Sequence, residues 1–169
     1  MQVEYTNSLV TWIYEGKKIE CNIDGVEYAY ANSKFVCVDS YTDSGFIHHY
    51  ITFEGKNVCK YDDAGNLTIL TQAGEQKQSI DKIDDIAIIG EKIYVMENGI
   101  HIQTYDFEAK NVGQIEPPNG YAFYRFLGEE KLEVVCQANP EYADSYGRVD
   151  FVFEYDFSHS SWTKKGLAY

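Results

Sequence analysis

A chain of 169 residues with 44% hydrophobic side chains has room for one domain of ordinary size and is no disordered acidic tail. Its 27 acidic residues against 14 basic ones give a net charge of −13. That balance disfavours bare nucleic acid as a partner, since phosphate binding needs a positive face, and makes a basic protein surface the natural complement.

Taken in order, Val10, Trp12 and Tyr14 alternate with Thr11, Ile13 and Glu15, a strand with an aromatic face. Glu15-Gly16-Lys17-Lys18 turns it into Ile19–Ile23, and Asp24-Gly25 ends the unit. Residues 27–31 and 34–39 read as short strands around Asn32-Ser33. A polar loop over Ser40–Gly45 leads to a strand at His49–Phe53, then Val58–Tyr61, with Leu67–Leu70 as an extra edge strand. Gln72–Ser79 is polar and glycine-containing and reads as a linker. Further strands follow at 83–89, 92–96, 100–107 and 112–116, ended by Pro117-Pro118-Asn119-Gly120. The last unit has strands at 121–127 and 131–137 and a long polar loop from Asn139 to Arg148. Val149, Phe151, Phe153, Tyr155 and Phe157 then alternate with Asp150, Val152, Glu154 and Asp156 in a half-buried strand, and residues 162–168 pair back. No stretch joins a helix N-cap to an i, i+3, i+4 stripe, so little or no helix is expected.

Four hairpin tips punctuate this order. Phe53-Glu54-Gly55-Lys56-Asn57-Val58 returns as Phe107-Glu108-Ala109-Lys110-Asn111-Val112, and looser copies begin at Tyr14 and Phe157. Such repetition predicts a single all-β domain of repeat units at about 1–25, 26–71, 82–118 and 119–169. Units of four short antiparallel strands resemble β-propeller blades of the WD40 or kelch kind in rhythm, without their Trp-Asp or double-glycine signatures. The resemblance implies a propeller-like array; an open twisted sheet or a two-sheet sandwich is the alternative.

No motif carries recognisable catalysis. There is no G-x-S-x-G elbow, no P-loop and no G-x-G-x-x-G. His48 and His49 are adjacent on a strand, point to opposite faces and cannot easily share a metal. Asp62-Asp63-Ala64-Gly65-Asn66 lacks the ligand spacing of a calcium loop and reads as a turn. Cys21, Cys37, Cys59 and Cys136 form no CxxC pair and sit in apolar, strand-like surroundings. With no signal-peptide pattern and no apolar run of membrane-spanning length, a cytoplasmic setting is expected, and no cofactor, metal or membrane partner.

One matched pair of segments stands out. Asp39-Ser40-Tyr41 and Asp144-Ser145-Tyr146 both fall between the second and third strands of a unit. With Asp43, Glu141 and Tyr142 they interleave acids and tyrosines, a pairing of charge with rigid contact area that suits a protein interface. The expected partner-binding set is therefore Asp39, Tyr41, Asp43, Glu141, Tyr142, Asp144 and Tyr146. The expected function is a non-enzymatic inhibitor or immunity protein that masks a basic protein such as a nuclease toxin. The alternatives are a small-molecule or carbohydrate-binding domain, and a structural subunit that self-assembles through exposed strand edges.

Overall fold

The computed structural model describes residues 1–168 as seventeen β-strands and one 3-10 turn, with no α-helix among them. The strands form four antiparallel meanders, none closed on itself. The chain divides into two compact units, residues 1–81 with 107–109 and residues 82–106 with 110–169.

The first unit opens with β1 (Val3–Tyr5), β2 (Leu9–Tyr14) and β3 (Lys17–Asn22). The β2–β3 turn, Glu15-Gly16, has both φ angles positive, as a two-residue hairpin between twisted strands requires. A six-stranded meander follows: β4 (Val26–Ala31), β5 (Phe35–Thr42), β6 (Gly45–Thr52), β7 (Asn57–Asp62), β8 (Asn66–Thr71) and β9 (Gly74–Ser79). Val10 and Trp12 from β2 share a core with Val26, Ala29, Val36, Val38 and Ile51. Trp12 is 3% exposed and its Nε1–H donates to the Phe53 carbonyl at 2.8 Å, so the buried indole keeps its one polar group satisfied.

Two sequence expectations are corrected in this unit. Leu67–Leu70 is not an edge, because the stretch expected to be a linker is itself the edge strand β9. The Thr71 hydroxyl closes the β8–β9 turn, accepting the Ala73 N–H at 3.1 Å and donating to the Gly74 carbonyl at 2.9 Å. A polar, solvated strand is what an unprotected sheet edge tolerates. Nor is Ser40–Gly45 a loop. β5 runs on to Thr42 and β6 begins at Gly45, leaving only Asp43-Ser44 between them. Ser40 is buried within the sheet, where its hydroxyl finds partners, so a polar residue there does not end the strand.

The second unit holds β10 (Ile83–Ile89), β11 (Lys92–Glu97), β12 (His101–Asp106) and β13 (Asn111–Ile115), then β14 (Tyr121–Phe126), β15 (Glu133–Ala138), β16 (Asp150–Asp156) and β17 (Ser161–Leu167). Tyr94, Met96 and Ile102 of the first meander share one core with Phe123, Leu132, Val134, Phe151 and Phe153. The alternation read in β16 is realised, with Phe151 and Phe153 buried. Asp85 ties the two meanders, accepting the Phe126 N–H at 2.8 Å. Trp162 repeats the Trp12 arrangement, donating from Nε1 to the Glu116 carbonyl at 2.8 Å.

The duplicated tip keeps its backbone. The Thr52 N–H donates to the Lys56 carbonyl at 2.8 Å, and the Asp106 N–H to the Lys110 carbonyl at 3.1 Å. Gly55 has φ +86°, and Ala109, its counterpart, holds φ +63°. In each copy the residue before the tip also clasps it by its side chain. Lys56 N–H donates to Thr52 Oγ1 at 3.3 Å, and Lys110 N–H to Asp106 Oδ1 at 2.8 Å.

Candidate protein-binding surface

The six-stranded sheet has two unlike faces, set by alternation along β5 to β7, broken by one bulge at the start of β7, and by a bulge at the start of β4. The register slips between Val26 and Tyr28, so Val26 and Ala29 turn inward while Tyr28 and Tyr30 turn to the other face. On that outer face Tyr28, Asp39, His48 and Tyr61 form a cross-strand row from β4 to β7. Tyr30, Cys37, Tyr50 and Cys59 form the next row, and Tyr41 lies opposite Phe46.

Four of these aromatic residues are solvent-exposed: Tyr28, Tyr30, Tyr41 and Phe46. They belong to two chains of touching rings. Tyr5, Tyr28 and Tyr30 stand 6.3 and 5.6 Å apart in succession. Tyr41 meets Phe46 edge-on at 5.1 Å, Phe46 lies 6.5 Å from His48, and His48 stacks on Tyr61 at 4.6 Å and 26°. Such ring contacts hold the side chains in one arrangement. Toward β8 the face closes over, with Cys37, Cys59, Leu67 and Ile69 buried.

Asp39 sits inside this array. Its Oδ1 is 2.7 Å from Nδ1 of His48, while among the described residues nothing hydrogen-bonds Oδ2. The side chain keeps 33% of its surface accessible. Asp43 occupies the β5–β6 turn, and Asp63 approaches it from the β7–β8 turn, its Oδ2 accepting the Phe46 N–H at 3.4 Å. The one lysine or arginine on β4–β7, Lys60, pairs in register with His49 on the opposite face. The outer face therefore combines rings and carboxylates with no lysine or arginine of its own. Sequence reasoning named Asp39, Tyr41 and Asp43 but missed Tyr28, Tyr30, Phe46, His48 and Tyr61. The signal was the period-two spacing Tyr28-x-Tyr30 and Phe46-x-His48-x-Tyr50.

The other four expected residues belong to the second unit and form a different structure. Asn139–Arg148 is a true connection, beginning with the 3-10 turn Pro140–Tyr142. Glu141 is exposed on that turn, and the Tyr142 ring covers Gly120 and packs 5.8 Å from Tyr121. Asp144 is turned inward on its own loop. It accepts the Tyr146 N–H at 2.8 Å, the Arg148 N–H at 2.9 Å and Arg148 Nε at 2.7 Å. Those bonds, led by the Arg148 backbone N–H, hold its carboxyl below the usual aspartate range. Tyr146 is 83% exposed, with the Arg148 guanidinium 5.1 Å over its ring. The two Asp-Ser-Tyr triplets thus differ in place and conformation, the first lying within β5 and the second in the connection between β15 and β16.

The remaining polar groups are engaged in contacts within the fold. His49 points to the inner face, opposite to His48, and its Nε2 is 2.9 Å from Ser40 Oγ. Burial, with Lys60 and His48 adding to it, pushes its pKa down to about 4. The spacing is that of a nucleophile and base, but Ser40 is 1% exposed and no carboxylate bonds the other ring nitrogen among the described residues. So weak a base also takes up little proton at neutral pH. Burial raises the thiols of Cys59 and Cys136, the latter to about 12, and keeps them unreactive. All four cysteines are free. No group of three or more potential metal ligands gathers among the described residues. Asp62 closes its turn by accepting the Ala64 and Asn66 N–H groups at 3.0 and 2.9 Å. A separate concavity of about 570 Å³ is lined by Glu4, Trp12, Tyr14, Glu15 and Phe53 among others. No helix among the described residues is long and apolar enough to cross a membrane.

No protein-family model matches the chain, and no curated protein matches it.

Proposed function

We propose that this chain is a non-enzymatic binding protein that masks the basic surface of a protein partner. One observation carries the reading: an exposed sheet face of rings and carboxylates that bears no lysine or arginine, in a chain of net charge −13. Rigid aromatic side chains supply contact area at low entropic cost, and charge of one sign steers a partner of the other. Small acidic proteins that neutralise a nuclease toxin by covering its basic cleft work this way, and this chain resembles that class by chemistry alone. Its four free cysteines suit a compartment that keeps thiols reduced, so the proposed setting is cytoplasmic. The blade-like meanders act as the rigid scaffold in this reading.

The test is capture of partners from the native host by the tagged protein at low and moderate salt, beside an Asp39→Lys, Asp43→Lys double variant. Enrichment of one basic protein by the wild type and its loss in the variant is the expected result. Equal capture by both overturns the assignment of the interface. The concavity beside Trp12 and Tyr14 favours a second reading, a small-ligand site, which predicts saturable binding that Tyr14→Ala removes.

A further inference from the structure

We infer that the outer face of β4–β7 recognises arginine rather than lysine, so that the partner surface it covers is guanidinium-rich. This deepens the proposed function and rests on it.

Three features select the guanidinium. The exposed groups are ring faces and edges, from Tyr28, Tyr30, Tyr41 and Phe46. A planar, weakly hydrated guanidinium stacks on such rings, whereas a compact ammonium keeps its water. Asp39 stands in the row between Tyr28 and His48 with one carboxylate oxygen fixed by the imidazole at 2.7 Å. Its other oxygen is open to an incoming N–H donor, and an arginine can stack and donate at once because its donors lie in the plane of the stacking group. Finally, no lysine or arginine of β4–β7 lies on this face, since Lys60 belongs to the opposite one. The second unit shows the contact in miniature, with Arg148 over Tyr146 while its Nε bonds Asp144. There the arginine is the chain's own; on β4–β7 the rings and the acid are present and the arginine is left for a partner to supply.

The experiment titrates the full chain with nona-arginine and nona-lysine peptides of equal charge by calorimetry, with a neutral oligosaccharide as a third probe. The proposal expects nona-arginine to bind about tenfold more tightly than nona-lysine. Tyr41→Ala with Phe46→Ala should remove that preference but keep the weak, salt-sensitive binding common to both peptides. Asp39→Asn, which preserves the shape and a hydrogen bond to His48, should weaken nona-arginine more than nona-lysine. Equal affinity for both peptides in the wild type overturns the arginine inference and leaves the basic-partner reading standing. Binding of the oligosaccharide alone overturns both. Thermal unfolding of each variant identifies any loss that comes from misfolding, and the Asp39→Asn arm then decides alone.

Discussion

The Gly25 carbonyl accepts the Tyr41 N–H at 2.7 Å, and a Cβ at Gly25 would stand 2.1 Å from the Tyr41 carbonyl oxygen. This close backbone approach anchors the exposed end of β5, where Tyr41 meets Phe46. Gly25 also holds φ +72°, a left-handed conformation that L side chains rarely adopt. Gly25→Ala therefore adds a clash to a strained dihedral and should destabilise the protein by about 3 kcal/mol. Urea unfolding measures it; a change under about 0.5 kcal/mol would show that the backbone contact is dispensable.

The buried imidazole of His49 sets a pH dependence. Its pKa lies near 4 in the folded protein against 6.5 for an unperturbed histidine. Between those values the unfolded chain binds more protons, so stability rises with pH across the window. The contribution is complete above about pH 6.5 and is lost as the pH falls toward 4, amounting to roughly 3 kcal/mol. Unfolding free energies of wild type and His49→Gln at pH 7 and 4.5 test this. The variant should lose distinctly less stability on acidification, and parallel losses would remove His49 from the account.

Trp12 and Trp162 make the same hydrogen bond to a backbone carbonyl at different depths, Trp12 being 3% exposed and Trp162 half-buried. Replacing either by Phe deletes the donor and leaves the carbonyl unpaired. At the buried site water cannot easily replace it, so Trp12→Phe should cost about 2 kcal/mol and Trp162→Phe about half as much. Denaturant midpoints of the two variants give the order directly.

Asp144 holds the loop that ends at Arg148, a trypsin site tied down by its own side chain and backbone. Asp144→Asn removes the ion pair and weakens the acceptor. Cleavage after Arg148 should accelerate severalfold while the thermal midpoint stays nearly constant, since exposed ion pairs contribute little to global stability. Limited trypsin digestion with mass analysis reads the rate; unchanged cleavage would show that the loop is held by other contacts.

Most strands were readable because alternation is a direct imprint of burial on one face, as in Phe151 and Phe153 of β16. The failures have physical causes. β9 carries no apolar residue, because an edge strand with a solvated face has no core to satisfy, so pattern reading took it for a linker. Ser40 looked like the start of a loop because its partners, Ile47 and His49, lie across the strand pair and not nearby in sequence. The candidate surface was half legible. Asp39, Tyr41 and Asp43 stood out as a cluster, but Tyr28, His48 and Tyr61 join Asp39 only through the register of four strands.

The twin tips show how one bend is held with glycine in one copy and alanine in the other. Alanine in a left-handed conformation costs about 1 kcal/mol against glycine. At Ala109 the neighbouring clasp is a carboxylate, from Asp106, where the glycine copy has only the hydroxyl of Thr52. A charged acceptor makes the stronger bond, which offsets the strain. The stability of this hairpin tip thus depends on the pair of positions taken together. A swap that moves Asp to 52 or Gly to 109 should over-stabilise its tip, whereas Thr at 106 beside Ala109 should leave that bend the first part of its hairpin to fray.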